Sequence, residues 1–339
     1  MKATFEDLVE PLRARLRLHC YRMAGSTTDA DDLVQETFTR AFRSRDTLVD
    51  DAMVRPWLYR IATNVCLDEL KDRGRRARGP EVGPPSDPDL PPAAATPESE
   101  WIEPCPSAWL DGTDPASEYT LKESIALAFV AALQVLTPPQ RAVLLLRDVV
   151  GLSADETATA LETSVSAANS SLHRAREALA ARVGPKSGWS PDAGAPIDRA
   201  LLERYLPVWH SSDPDAVIAL LHEEATISMP PSPTWIQGRD AVARFFAHRV
   251  RSAIETGAFL TRALEANGRP AAAFYRKGDD GSARFFAIHV LELDGGLVRT
   301  IDHFMGAAAR RVVVASGLPD TLDRGADLTS SARPDASKA

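Results

Sequence analysis

Apolar residues recur at helical spacing through residues 5–79 and again through 119–184, whereas residues 197–315 turn to alternating apolar and polar positions. The pattern predicts two helical modules followed by a mixed domain of helices and strands. Between the modules, residues 80–118 are rich in Pro and carry no helical spacing, which predicts an extended linker that builds no core of its own. The tail, 319–339, is polar and is expected to be disordered.

The second helical module has the clearest punctuation. Ile125, Phe129, Ala132, Leu133 and Leu136 repeat at helical spacing. Thr137-Pro-Pro-Gln140 then combines an N-cap, a Pro at the first helical position and a capping-box Gln. A second box, Ser153-Ala-Asp-Glu156, opens a short helix that ends near Leu161. Glu162 and Thr163 make a turn, and Ser164 caps a last helix running to about Arg182. Helix, tight turn and longer helix is the layout of a helix-turn-helix. On the last helix Val165, Ala168, Leu172, Ala175 and Leu179 share one face and predict its core stripe. The opposite face carries Ser166, Asn169, Ser170, His173 and Arg174, whose hydroxyl, amide, imidazole and guanidinium groups suit base edges and phosphates. Arg176, at the margin of the stripe, is expected to contact its own domain or a phosphate. Glu162 fits the turn comfortably only where no positive φ is needed.

In the last domain, Leu201 to Trp209 and Asp213 to Leu221 pattern two helices, and Arg239 to Phe246 a third. Strands are expected near 226–229, 260–265, 271–276, 283–293 and 297–305, the last pair joined by Asp294-Gly-Gly296. Trp235, His289, Asp302 and His303 are the candidates for a cavity in this domain. Asp302 and His303 are adjacent on a strand and so point to opposite faces, which argues against a simple catalytic dyad. No catalytic residue is assigned.

The net charge of −8 disfavours DNA until it is divided along the chain. Residues 1–79 carry 15 Lys and Arg against 13 acids, whereas 80–118 carry nine acids and no base. The acidity is concentrated in the linker, and the first module ends in a basic run, Lys71 to Arg78. Cys20, Cys66 and Cys105 lack metal-ligand spacing and predict no metal or redox site. No apolar run is long enough to span a bilayer and no signal peptide is evident, so a cytoplasmic protein is expected.

Two long segments of the first module carry a resemblance. Thr28-Asp-Ala-Asp31-Asp32-Leu33-Val34-Gln35-Glu36-Thr37-Phe38 and Arg55-Pro-Trp57-Leu-Tyr59-Arg60-Ile61-Ala62-Thr63-Asn64 resemble regions 2.2 and 2.3–2.4 of extracytoplasmic-function sigma factors. Leu136 to Arg141, Gly151 to Glu156 and Ser164 to Leu179 resemble region 4 of the same family. Trp101-Ile-Glu-Pro104-Cys-Pro106 and Asp114-Pro-Ala resemble the linker of a subfamily with a fused SnoaL-like domain. The fold the resemblance implies is multidomain: two all-α sigma domains (5–79 and 119–184) plus an α+β NTF2-like cone (197–315).

By resemblance, Asp32, Gln35 and Glu36 grip the coiled coil of the largest subunit of core RNA polymerase, and the region 4 module meets the flap of the second subunit. Arg55, Trp57, Tyr59, Arg60 and Asn64, with Lys71, Arg73, Arg75 and Arg76 of the basic run, are assigned to the −10 promoter element. The loop 44–54 is expected to help capture unpaired bases. Ser166, Asn169, Ser170, His173 and Arg174 are assigned to the −35 element. In relatives the linker threads a cation-lined polymerase channel, a path that its carboxylates would suit. Thr28 is expected to cap the helix of the first motif. No cofactor is expected, and a small ligand of the last domain is left open. Two alternatives remain: a one-component helix-turn-helix regulator with a ligand-sensing domain, and a SnoaL-type enzyme with accessory helices. The first leaves the polymerase-gripping motif without a purpose, the second the whole helical half.

Overall fold

The computed structural model describes residues 4–48, 50–71, 73–110, 122–183, 199–211 and 213–322. The chain forms two compact units, one of residues 1–76 with 109–193, the other of 77–108 with 194–339. The division does not follow the expected domain borders. Residues 80–108 of the linker join the C-terminal unit.

The first unit opens with α1 (Phe5–Val9), α2 (Arg13–Ala24), α3 (Thr27–Arg43) and α4 (Val54–Leu70). Gly25 ends α2 in the left-handed region at φ 72°, and Ser26, extended, caps α3 by accepting from the Asp29 N–H at 3.0 Å. The cap is therefore Ser26 rather than Thr28, because the turn at Gly25 starts the helix earlier than the acidic run suggests. Ala30, Leu33, Val34, Thr37 and Ala41 form the buried stripe of α3; Leu18, Cys20 and Met23 of α2 and Leu58, Ala62 and Val65 of α4 are buried too, and the three helices pack on one another.

The second module of this unit is α6 (Leu127–Leu133), α7 (Pro138–Leu144), a π-helical turn over Leu145–Val150, α8 (Ala154–Ala160) and α9 (Val165–Val183), the label α5 being kept for the short linker helix Gly79–Val82. Both capping boxes form: the Thr137 N–H donates to Gln140 Oε1 at 3.1 Å, and Ser153 and Glu156 exchange bonds of 2.7 and 3.1 Å. Helices α7 and α8 pack directly on α4.

The C-terminal unit contains α10 (Arg199–Val208), α11 (Pro214–Ile218), β1 (Leu221–Ser228), β2 (Trp235–Gln237), α12 (Arg239–Arg249), α13 (Arg251–Glu255), β3 (Phe259–Ala266), β4 (Arg269–Lys277), β5 (Ala283–Asp294), β6 (Leu297–Phe304), α14 (Gly306–Ala315) and β7 (Thr321–Leu322). The sheet runs β2-β1-β6-β5-β4-β3, with β7 on β5, and β1 and β6 are parallel. The β3–β4 hairpin turns on Asn267-Gly268, both at positive φ, and β5–β6 on Gly295-Gly296. One sheet face meets an aromatic core centred on Trp209, with Phe246, Phe259 and Phe274 around it. The sheet reaches past the expected end at 315: β7 pairs with β5, Tyr275 Oη donates to Pro319 O at 2.8 Å and the Phe285 N–H to Asp320 O at 2.8 Å. Of the expected tail, 323–339 lies outside the described residues.

Candidate nucleic-acid interface

Helix α9 turns its two faces as its spacing requires. Ala168, Leu172, Ala175 and Leu179 are buried, and Ser166, Asn169, Ser170, His173 and Arg174 are all exposed. Ser164 caps the helix, accepting from the Ala167 N–H at 3.1 Å. Arg176 binds Asp148 with two bonds of 3.0 and 2.6 Å, so it braces its own module. Glu162 sits at φ 51°, which the turn does require. The condition for a comfortable Glu is therefore not met, for a backbone reason: the Thr163 N–H donates to Ala158 O at 2.9 Å across the end of α8, and residue 162 enters the left-handed region to close that turn.

The first module separates the candidates its motifs group together. Trp57 is 8% exposed, meets Phe5 edge-on with ring centres 6.2 Å apart, and donates its indole N–H to Thr47 Oγ1 at 3.1 Å. Tyr59 is 4% exposed and packs edge-on against His19, with its hydroxyl pKa raised by burial. Neither ring offers a free face, and both belong to the core. Arg76 is buried and binds Asp29 at 2.9 Å, while Arg73 pairs with Asp29 and Glu69. These two cations brace the start of α3. Lys71 is exposed beside Asp68 at 3.1 Å, and Arg75 is exposed; Arg60 and Asn64 are partly exposed. Arg55 is exposed, and its guanidinium donates to the carbonyl of Val150 in the second module. On α3, Asp32 and Gln35 are exposed, and Glu36 pairs with Arg40 at 2.7 Å.

In the C-terminal unit, Trp235, His289, Asp302 and His303 do not line one cavity. His289 and His303 lie on the aromatic face in a chain of hydrogen bonds, Tyr205 Oη to His289 Nδ1 at 2.8 Å and His289 Nε2 to His303 Nδ1 at 2.9 Å. Burial lowers both imidazoles, His303 to about 4, and raises the Tyr205 phenol. Asp302, the residue before His303, faces the other side and is held by Arg78, at the end of the basic run, and by Ser228. Trp235 gives its indole N–H to Gly83 O of the linker at 3.0 Å. Alternation along the strand separates the acid from the histidines, and the linker takes what remains.

Linker docking is the feature that sequence reasoning missed. Gly79 lies so close to β1 that a Cβ there would come within 2.6 Å of the Ser228 Cβ, so only glycine permits the approach. The Ser86 N–H donates to Trp235 O, the Ala93 N–H to Thr234 Oγ1 and the Thr96 N–H to Pro231 O, at 2.8, 2.8 and 2.9 Å. At the far end, the Cys105 N–H donates to Asn267 Oδ1 and the Asn267 N–H to Cys105 O, both at 2.8 Å. Trp101, Ile102 and Cys105 are buried. These three apolar islands in a polar segment are the signal that could have predicted docking.

The helical half thus ends in a helix-turn-helix with an exposed polar reading face, and the strand half is a sheet wrapped by helices. Residues 8–76 match Sigma-70 region 2, 126–179 match Sigma-70, region 4, and 202–301 match the SnoaL-like domain. The chain is 39% identical over 324 residues to the ECF RNA polymerase sigma factor SigG of Mycobacterium tuberculosis, covering 95% of this chain and 85% of that protein. It is 30% identical over 242 residues to SigJ of the same organism, 70% of each chain. The crystal structure of SigJ shares the fold, with a TM-score of 0.60 at 24% identity over 91% of this chain and 98% of that one. The chain belongs to the extracytoplasmic-function RNA polymerase sigma factors. Its work is to join core RNA polymerase, recognise promoter elements and enable initiation. Among the described residues no helix is long and apolar enough to cross a membrane.

Proposed function

We propose that this sigma factor is regulated by its C-terminal domain, which acts in the cytoplasm as a clamp on the linker and carries out no catalysis of its own. Asp32, Gln35 and Glu36 are the polymerase contacts on this reading, directed at the coiled coil of the largest subunit, with the flap of the second subunit receiving the region 4 module. Arg55, Arg60, Asn64, Lys71 and Arg75 serve the −10 element, and Ser166, Asn169, Ser170, His173 and Arg174 the −35 element. Trp57, Tyr59, Arg73 and Arg76 pass from the DNA set to a supporting role.

One observation carries the clamp: the reciprocal pair of backbone and amide bonds between Cys105 and Asn267, both 2.8 Å, at the far end of the docked linker. A linker held on a sheet cannot also extend along a polymerase channel. Initiation then requires either release of the linker or a route that leaves it docked. Full-length protein carrying Asn267→Gly keeps the left-handed turn but loses the side-chain acceptor. Run-off transcription with core polymerase should rise severalfold for this variant, together with faster proteolysis within 80–106. Faster proteolysis with unaltered transcription would refute the clamp.

A further inference from the structure

On the sheet face away from the histidines, β1, β5 and β6 build a cradle for one planar cation. Parallel pairing of β1 with β6 sets Ser228 opposite Asp302. Antiparallel pairing of β5 with β6 sets Glu292 opposite Thr300, two residues along on the same face. Ser228 Oγ donates to Asp302 Oδ1 at 2.6 Å, a bond made wholly within the sheet. Asp302 and Ser228 are 1% and 2% exposed. The sheet supplies the acceptors but not the cation. Arg78 brings that from the segment ahead of the linker, with Nε and Nη2 on the two Asp302 oxygens and Glu292 Oε1 3.6 Å from Nη2.

The segment lies on the sheet as closely as a bound molecule would. A Cβ on Gly79 would meet the Ser228 Cβ at 2.6 Å and the Trp235 Cβ at 3.1 Å. The acceptor geometry also selects its cation. Two carboxylate oxygens side by side match the parallel N–H groups of a guanidinium, whereas an ammonium is a point charge without that fork. A carboxylate this deep is costly to leave bare. Any state in which the linker lifts and carries Arg78 away therefore leaves a site that calls for a second guanidinium.

We infer that Asp302, Ser228 and Glu292 form a binding site for a small alkylguanidinium compound, which competes with Arg78 for the same carboxylate. Because the free compound binds only where Arg78 has left, it stabilises the lifted linker. It must overcome a tethered rival whose effective concentration is on the order of millimolar. That this lifting raises initiation rests on the clamp reading; the binding itself does not.

The probe is N-ethylguanidinium, with ethylammonium and the neutral isostere ethylurea as controls, all on the full-length chain. In Arg78→Ala, about 20 mM of the guanidinium should raise the thermal midpoint by about 3 °C or more. Neither control should do so, and Arg78→Ala combined with Asp302→Asn should not respond. The parent protein gives a second reading that needs no destabilised variant. Trp101 is 4% exposed in the docked linker, so the guanidinium should speed chymotrypsin cleavage there about threefold, and the controls should not. Asp302→Asn should be cleaved at a rate that ignores the compound. Controls that match the guanidinium, a response that survives Asp302→Asn, or no guanidinium-specific cleavage of the parent would overturn the site. Guanidinium-specific cleavage with unaltered run-off transcription would uphold the site and refute the clamp.

Discussion

Arg78 closes on Asp302 with two nitrogens, Nε to Oδ1 at 3.0 Å and Nη2 to Oδ2 at 2.7 Å, and Ser228 Oγ completes the carboxylate at 2.6 Å. The pair joins the last residue of the basic run to a strand 224 positions away, on an acid only 1% exposed. A bidentate arginine fixes direction as well as charge, so the linker leaves the sheet at a set point.

Removing one partner of such a buried pair strands the other. Arg78→Met should therefore destabilise the C-terminal domain by about 3 kcal/mol, whereas Arg78→Met combined with Asp302→Leu should recover most of that loss. Urea unfolding of the four corners of this cycle measures the coupling. A double variant no more stable than Arg78→Met would show that the arginine acts through packing instead.

How far the sequence made this visible varies by element. The faces of α9 were readable because Ala168, Leu172, Ala175 and Leu179 need only a helix and a neighbour. Trp57 and Tyr59 were not, because motif words do not say which side of a helix meets α1 and α2. Composition also misread the linker. A Pro-rich acidic segment cannot build a core, yet Trp101, Ile102 and Cys105 needed only someone else's sheet. The pairing of Arg78 with Asp302 depends on long-range topology that no local pattern encodes.

The exposed face of α9 gives a prediction with a built-in control. Asn169→Ala and Arg174→Ala should each weaken promoter binding by holoenzyme by about 1–3 kcal/mol, with relaxed preference at single −35 positions if they read bases. Thermal stability should stay within a degree or two, since neither side chain is buried. Arg176→Ala should do the reverse, lowering stability through loss of Asp148 while leaving base preference alone. Filter binding across a −35 substitution series separates the two behaviours.

Glu162 is a non-glycine residue held at φ 51° on an exposed turn. The left-handed conformation costs an L-residue with a Cβ roughly 1 kcal/mol, part of which glycine regains and part of which it gives back as unfolded-chain entropy. Glu162→Gly should stabilise the region 4 module by about 0.5 kcal/mol, and Glu162→Asn, which tolerates this region, by a similar amount. Glu162→Val should destabilise it. Equal midpoints for the Gly and Val variants in chemical unfolding would remove the strain argument.

The buried imidazoles set a pH dependence whose sign follows from their direction. His289 and His303 are lowered by burial from an ordinary value near 6.5, His303 to about 4, so the unfolded chain takes up protons first as pH falls. Their contribution is present above pH about 6.5 and drains away between there and about 4, by up to about 1.4 kcal/mol per pH unit for each histidine. His19, packed against Tyr59 and lowered to about 3, does the same for the helical unit over a wider range. Nothing in this chain of bonds needs a charged ring: with His289 protonated at Nε2, Tyr205 Oη donates a hydrogen bond to His289 Nδ1, and His289 Nε2 donates to His303 Nδ1. Neutral rings satisfy every step, and a proton added to His303 Nδ1 would set two donors against each other. Unfolding of the C-terminal domain followed at pH 7.5, 6 and 5 should therefore show a steady loss of stability. His303→Gln, being unable to titrate, should flatten that loss even if it lowers the midpoint at pH 7.5. A variant with the same pH slope as the parent would place the acid sensitivity elsewhere.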